Sequence, residues 1–141
     1  TTMNLPELLL DLTTHNNAII RSVASQLNLT ASQVFHLISI PHDGIPMSRL
    51  AHKLGLDAST LTRNIQKLED LGLIKREHSS YDKRVQKAVL TTLGTQMTDQ
   101  IEKILQQTTN LILEQIDLDS QQNMGELLEQ LIWSMDCIRE G

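Results

Sequence analysis

Apolar positions along the chain recur with two different periods, and the change of period marks out its elements. Between Leu5 and Leu27, the residues Leu5, Leu8, Leu9, Leu12, Ile19, Ile20, Val23 and Leu27 follow spacings of three and four, which line one face of a helix. His15 and Asn16 stand in this stripe where two apolar residues are expected. The stretch "NLTASQVFHLISI" predicts a second helix, with Thr30 as N-cap, Gln33 at the capping-box position and Pro41 as its stop. "HDGIP" then predicts a turn from its Asp-Gly and Pro content.

"MSRLAHKLG" predicts a short helix with Leu50, Ala51 and Leu54 facing inward and Gly55 just past its end. "LDASTLTRNIQKLEDLG" follows almost at once, with Asp57 as N-cap, a buried stripe of Leu61, Ile65, Leu68 and Leu71, and Gly72 closing it. Only "GLD" separates the two helices, so together they form a helix-turn-helix. The period then drops towards two: "LIKRE" and "VQKAVL" read as strands flanking the loop "HSSYDKR". Helix-turn-helix plus β-hairpin is a winged helix-turn-helix.

Helical spacing returns from Thr91. Leu93, Met97, Ile101, Ile104, Leu105, Thr108 and Ile112 share a face to about Ile116. "DLDS" interrupts, with Ser120 or Asp119 capping a last helix whose stripe is Met124, Leu127, Leu128, Leu131, Met135 and Ile138. The fold class expected is mainly α with a small β-hairpin wing. Residues 1–141 are read as one domain, with the winged helix-turn-helix at 29–94 and helical regions at 1–28 and 95–141. Amphipathic helices bracketing the winged unit suit packing on a second copy, hence a symmetric dimer.

Composition sharpens this picture in a few places. At 141 residues and 40% hydrophobic, the chain is long enough for one buried core and is not of disordered composition. No run approaches the ~18–20 consecutive apolar residues of a membrane span. "TTMNLPELLL" lacks a basic leading region, so a secretory signal is not expected, and a single cysteine, Cys137, suits a cytoplasmic location. Phe35, Tyr81 and Trp133 are the only aromatics, too few for the stacking platforms that hold single-stranded nucleic acid.

Charge changes the picture most. The chain carries a formal net charge of −5, yet nine basic residues and five acidic ones fall between Arg49 and Lys87. That middle segment is therefore +4 and the two flanks together −9. A concentrated basic patch favours phosphate contact.

The order of elements and the motif residues together resemble the MarR family of bacterial transcription regulators. The matching stretches are "LTASQVFHLISI", "MSRLAHKLGLDASTLTRNIQKLEDLGLIKR" and "YDKRVQKAVLTTLG". The last follows the pattern D-x-R, five residues, L-T-x-x-G through Asp82, Arg84, Leu90, Thr91 and Gly94. The resemblance implies a homodimer that binds double-stranded DNA at a pseudo-palindromic operator. It also implies occupancy changed by a small-molecule effector or by oxidation, with repression the commoner mode.

With Leu61, Ile65 and Leu68 inward, Ser59, Thr60, Thr62, Arg63, Gln66 and Lys67 remain on the outer faces of the second helix of the helix-turn-helix. Arg63 and Gln66 suit base edges in a major groove, and Thr60, Thr62 and Lys67 suit both bases and backbone. Ser48 and Arg49, near the start of the preceding helix, are phosphate candidates. On the wing, Asp82 and Arg84 lie two apart, on one side of an extended stretch, so the carboxylate can aim the guanidinium. The resemblance gives Arg84 a minor-groove role with Asp82 as its orienting partner. Lys83 adds charge beside them, and Arg76, at the hairpin base, is expected to contact phosphate or brace Asp82.

The resemblance also implies an effector cleft between the terminal helices and the winged unit. His15, Asn16 and His36 are candidates to line it, and the alternative is hydrogen-bonded interior side chains. No metal or other cofactor is expected: His15, His36, His42, His52 and His78 show no paired ligand spacing. An enzyme is not expected either, since G-x-S-x-G, P-loop, G-x-G-x-x-G and H-E-x-x-H patterns are all missing. Two other readings stay open, a redox-responsive regulator acting through Cys137 and a winged-helix protein–protein module.

Overall fold

The computed structural model describes residues 4–140. The outermost positions of the two helical flanks, Thr1 to Met3 and Gly141, lie outside the described residues. Asn4 caps helix α1, Leu5–Gln26, by accepting the Glu7 amide through its side chain at 3.2 Å. Helix α2, Ala31–Ile38, starts with the expected reciprocal box. The Gln33 amide donates to Thr30 Oγ1 at 3.1 Å, and the Thr30 amide donates to Gln33 Oε1 at 2.9 Å. Two of the otherwise unpaired N-terminal donors are thereby satisfied.

"HDGIP" holds more than a turn. Ile45 and Pro46 form strand β1, ahead of helix α3 at Met47–Leu54 and helix α4 at Ala58–Asp70. Strands β2, Ile74–His78, and β3, Gln86–Leu90, make the wing. The sheet has three antiparallel strands in the order β1-β3-β2, with Ile45 opposite Ala88 and Arg76 opposite Ala88 on the other side. A two-residue strand is too short for alternation to declare it. Its pairing depends on Gly44, whose φ of +85° turns the chain onto β3, where a Cβ would lie 3.0 Å from the Ala88 carbonyl oxygen.

Helix α5, Thr92–Leu113, grows directly out of the wing, and helix α6, Leu118–Glu140, completes the chain. The cap of α6 is Asp117, two residues before the expected Asp119 and three before Ser120. Its carboxylate accepts both the Ser120 amide and the Ser120 hydroxyl at 2.8 Å. Asp competes for backbone amides two or three residues ahead, so the first acidic residue of "DLDS" captures the helix start.

The described residues divide into two compact units, one up to Ile104 and one from Leu105 onward. In the first, Val23, Val34, Leu37, Leu50, Leu61, Ile65, Leu68 and Ile101 are fully buried. Each such side chain contributes about 1.5–3 kcal/mol by leaving water. Leu61, Ile65 and Leu68 confirm three of the four positions expected for the α4 stripe, whereas Leu71 is 51% exposed because α4 has already ended at Asp70. In the second unit, α6 has no buried residue. The Gln121 side chain donates to the carbonyls of Leu113 and Ile116, closing the C-terminal end of α5.

Candidate nucleic-acid interface

Burying Leu61, Ile65 and Leu68 turns the opposite face of α4 outward. Ser59, Thr62, Arg63, Gln66 and Lys67 are exposed on it and Thr60 is half-buried. Asp57 anchors the start of this helix: its carboxylate accepts the Thr60 amide at 2.7 Å and the Thr60 hydroxyl at 3.0 Å. Those two hydrogen bonds, with Arg63 nearby, hold the Asp57 carboxyl below its ordinary value. Thr62 turns its hydroxyl back to the Ala58 carbonyl at 2.9 Å. The Thr62 donor is therefore occupied within the helix, while its oxygen keeps an acceptor site.

Gln66 is held from two sides. Arg76 Nη2 donates to Gln66 Oε1 at 2.9 Å, and Gln66 Nε2 donates to Asp70 Oδ1 at 3.0 Å. Arg76 also forms an ion pair with Glu69, Nε to Oε1 at 2.8 Å, without the alignment of a linear hydrogen bond. Arg76 therefore does not brace Asp82. Its β2 position points it at α4, where two partners on successive turns meet it.

The wing carries the feature the sequence pointed to most sharply. Asp82 Oδ1 accepts Arg84 Nε and Oδ2 accepts Arg84 Nη2, each at 3.1 Å, a two-pronged pair. Asp82 Oδ1 also accepts the Arg84 amide at 3.0 Å, fixing the backbone of the turn. The Arg84 side chain is still 90% exposed. These bonds, the guanidinium first and the amide second, hold the Asp82 carboxyl below its ordinary value. Lys83 is exposed beside it. Lys87 instead reaches back to the Asp43 carbonyl at 2.9 Å, tying β3 to the turn before β1. Ser48 and Arg49 are exposed in the first turn of α3, whose N-cap, Pro46, supplies no side-chain acceptor. The first amides of a helix point along its axis and suit an anion.

The three effector candidates differ in their surroundings. His15 and Asn16 are exposed on α1, and the open cleft beside Arg21, Ser25, Asn28 and Gln33 includes none of the three. His36 is 3% exposed, with Nδ1 at 2.6 Å from the Ser32 carbonyl and Nε2 at 3.2 Å from Asn64 Nδ2. One neutral tautomer satisfies both contacts: Nδ1–H donates to Ser32 and Nε2 accepts from Asn64. His36 is thus an interior polar tie between α2 and α4, the alternative reading of this residue. Cys137 is exposed on α6.

Sequence reasoning missed the polar partners Asn64, Glu69 and Asp70. The i, i+4 spacing of Gln66 and Asp70 was visible in the sequence. The contact with Arg76 crosses from helix to strand and left no local signal. Tyr81 stands 99% exposed at the wing tip.

A helix-turn-helix with an outward polar face, followed by a hairpin tipped with a braced arginine, defines a winged helix-turn-helix fold. Residues 41–86 match the model of the MarR family, which bears out the resemblance drawn from the motif residues. The fold agrees. A crystal structure of MarR is similar, with a TM-score of 0.82 and 24% identity over 98% of this chain and 95% of that one. A mutant MarR from E. coli complexed with operator DNA gives 0.74 and 24%, over 92% and 94% of the two chains. CouR from Rhodococcus jostii RHA1 bound to p-coumaroyl-CoA gives 0.77 and 18%, over 91% of each chain. Among the described residues, no helix is long and apolar enough to cross a membrane.

Proposed function

We propose that this chain is a homodimeric, sequence-specific regulator of transcription that binds double-stranded DNA at a pseudo-palindromic operator. The observation that carries the reading is the pairing of two features on one compact unit. One is the α4 face bearing Ser59, Thr60, Thr62, Arg63, Gln66 and Lys67; the other is the two-pronged Asp82–Arg84 pair on the wing. An exposed α4 can enter a major groove, where Arg63 and Gln66 meet base edges and Lys67 meets phosphate. Arg84, already oriented and almost fully exposed, suits the narrow minor groove alongside, where negative potential is enhanced. Lys83 and the first turn of α3, with Ser48 and Arg49, supply further phosphate contacts. The similarity to a MarR structure complexed with operator DNA supports the same reading.

Dimerisation is supported by apolar surface that a single chain leaves in water. On the first half of α1, Leu5, Leu8, Leu10 and Leu12 are 45–68% exposed. On α6, Leu127, Ile132, Trp133 and Ile138 are 63–80% exposed. Helical faces of this kind mark interaction surfaces, and a two-fold partner presents the same faces in return. Repression, with release by a small molecule, is part of the proposal. The likeness to CouR bound to p-coumaroyl-CoA supports the small-molecule element. Selection of random double-stranded sites by the purified chain, followed by gel-shift titration of the enriched site, tests the whole. A palindromic site is the expected outcome, and no enriched site would count decisively against DNA binding.

A further inference from the structure

We infer that Arg76 and Asp70 form a clamp that fixes which way round the Gln66 carboxamide faces the DNA, making Arg76 a specificity-positioning residue instead of a phosphate contact. The inference rests on the DNA-binding reading above and adds to it.

A glutamine side chain presents a donor on one side and an acceptor on the other, and rotation by half a turn about its last bond exchanges them. A freely rotating glutamine on a reading helix would offer both orders to the groove. Gln66 cannot, because its two neighbours have opposite and fixed hydrogen-bonding characters. Arg76 is a donor only, so the group it meets must be the oxygen, Oε1, at 2.9 Å. Ionised Asp70 is an acceptor only, so the group it meets must be the nitrogen, Nε2, at 3.0 Å. Reversal would set two donors face to face on one side and two acceptors on the other.

Arg76 is itself located by its ion pair with Glu69, and both side chains are about three-quarters buried, at 23% and 24% exposure. By contrast, Arg84 is 90% exposed and available to reach outward. After the clamp is made, Gln66 retains one N–H and one oxygen lone pair for a base edge. They come in a set order, with the donor nearer the C-terminal turn of α4 and the acceptor nearer β2. In a major groove, an adenine edge offers N7 as acceptor and N6 as donor, and their order reverses when A·T becomes T·A. A fixed carboxamide therefore distinguishes the two orientations of one base pair, where a loose one accepts both.

The test compares base preference at each position of the enriched site for the full chain and for Gln66→Ala, Asp70→Asn and Arg76→Met. Asp70→Asn removes no positive charge and gives position 70 both donor and acceptor, so it removes one of the two restraints on the carboxamide without touching any phosphate contact. Gln66→Ala is expected to erase preference at one base pair of each half-site. Asp70→Asn and Arg76→Met are expected to relax that same pair by about five- to tenfold, within the discrimination a bidentate contact supplies, and to leave the other positions unchanged. Thermal melts confirm that each variant is folded, and Asp70→Asn stands alone if Arg76→Met is not. The clamp is overturned if Arg76→Met weakens all sequences equally and lowers the slope of log K against log salt by about one, as loss of a phosphate contact does. It is also overturned if Asp70→Asn leaves every preference intact. Failure of the unmodified chain to enrich any sequence is a different result, and overturns the DNA reading itself.

Discussion

Asp82 and Arg84 show how a short polar pair does the work of a larger scaffold. Asp82 grips both the guanidinium and the amide of Arg84, so the side chain is aimed before any ligand arrives and less conformational entropy is lost on contact. Arg84→Ala should weaken binding to the enriched DNA site by about 1–3 kcal/mol while leaving the thermal melt in place. Unchanged affinity in a gel-shift titration at physiological salt would remove the wing from the interface. Asp57, Asp82 and Asp117 all have carboxyl groups held below the ordinary 3.8 by hydrogen bonds from neighbours in the folded chain. The unfolded chain therefore binds more protons between those lowered values and 3.8, and stability rises with pH across that interval. Their contribution is complete above the ordinary value and is lost as pH falls through the lowered ones. Urea midpoints measured from pH 6 downward should fall with acid, and Asp57→Ala should reduce that fall. Parallel loss in the two proteins would show that the α4 cap has no part in it.

Among the elements, the junction of wing and α5 is the most constrained. Gly94 is buried, and a Cβ on it would lie 1.9 Å from the Leu73 carbonyl oxygen, a distance no small adjustment relieves. Thr91 closes the same junction by donating its hydroxyl to the Gly72 carbonyl at 2.6 Å and accepting the Gly94 amide at 3.0 Å. Gly94→Ala should therefore cost at least the ~1–3 kcal/mol typical of overpacking, read as a lower urea midpoint. A wild-type midpoint would mean that α5 shifts freely against Leu73. The L-T-x-x-G ending of the wing motif thus has a steric reason that the sequence did not disclose. Helix α4 was legible because its cap and its 61, 65, 68 stripe are local signals. Strand β1 was not, because two residues carry no period and pair only once β3 lies beside them.

For the whole molecule, charge and apolar surface make opposite demands. A +4 middle segment in a −5 chain concentrates phosphate attraction in the winged unit. DNA affinity should therefore fall steeply between about 50 and 200 mM salt as counterion release loses its advantage. A flat response in a fluorescence titration would contradict phosphate contact. The exposed leucines of α1 and the apolar residues of α6, none of them buried, are the surfaces on which the proposed dimer would form. Sedimentation equilibrium should return a dimer, and Leu127→Glu, a charge on a residue 63% exposed in the single chain, should shift it towards monomer. A monomer at every concentration for the unmodified chain would refute the two-fold arrangement.

What the sequence determined by itself is whatever depends on neighbours within a turn or a hairpin. The Thr30–Gln33 box, the Asp57 cap, the helical stripes and the Asp82–Arg84 pair belong to this class, because their partners are two to four residues apart. Tertiary structure decided the rest. It made His36 a tie to Asn64, 28 residues away, and turned Arg76 from Asp82 towards Glu69 and Gln66. It also set Gly94 against the Leu73 backbone. Side chains with several possible partners take the one that packing delivers, and packing is a property of distant residues brought together.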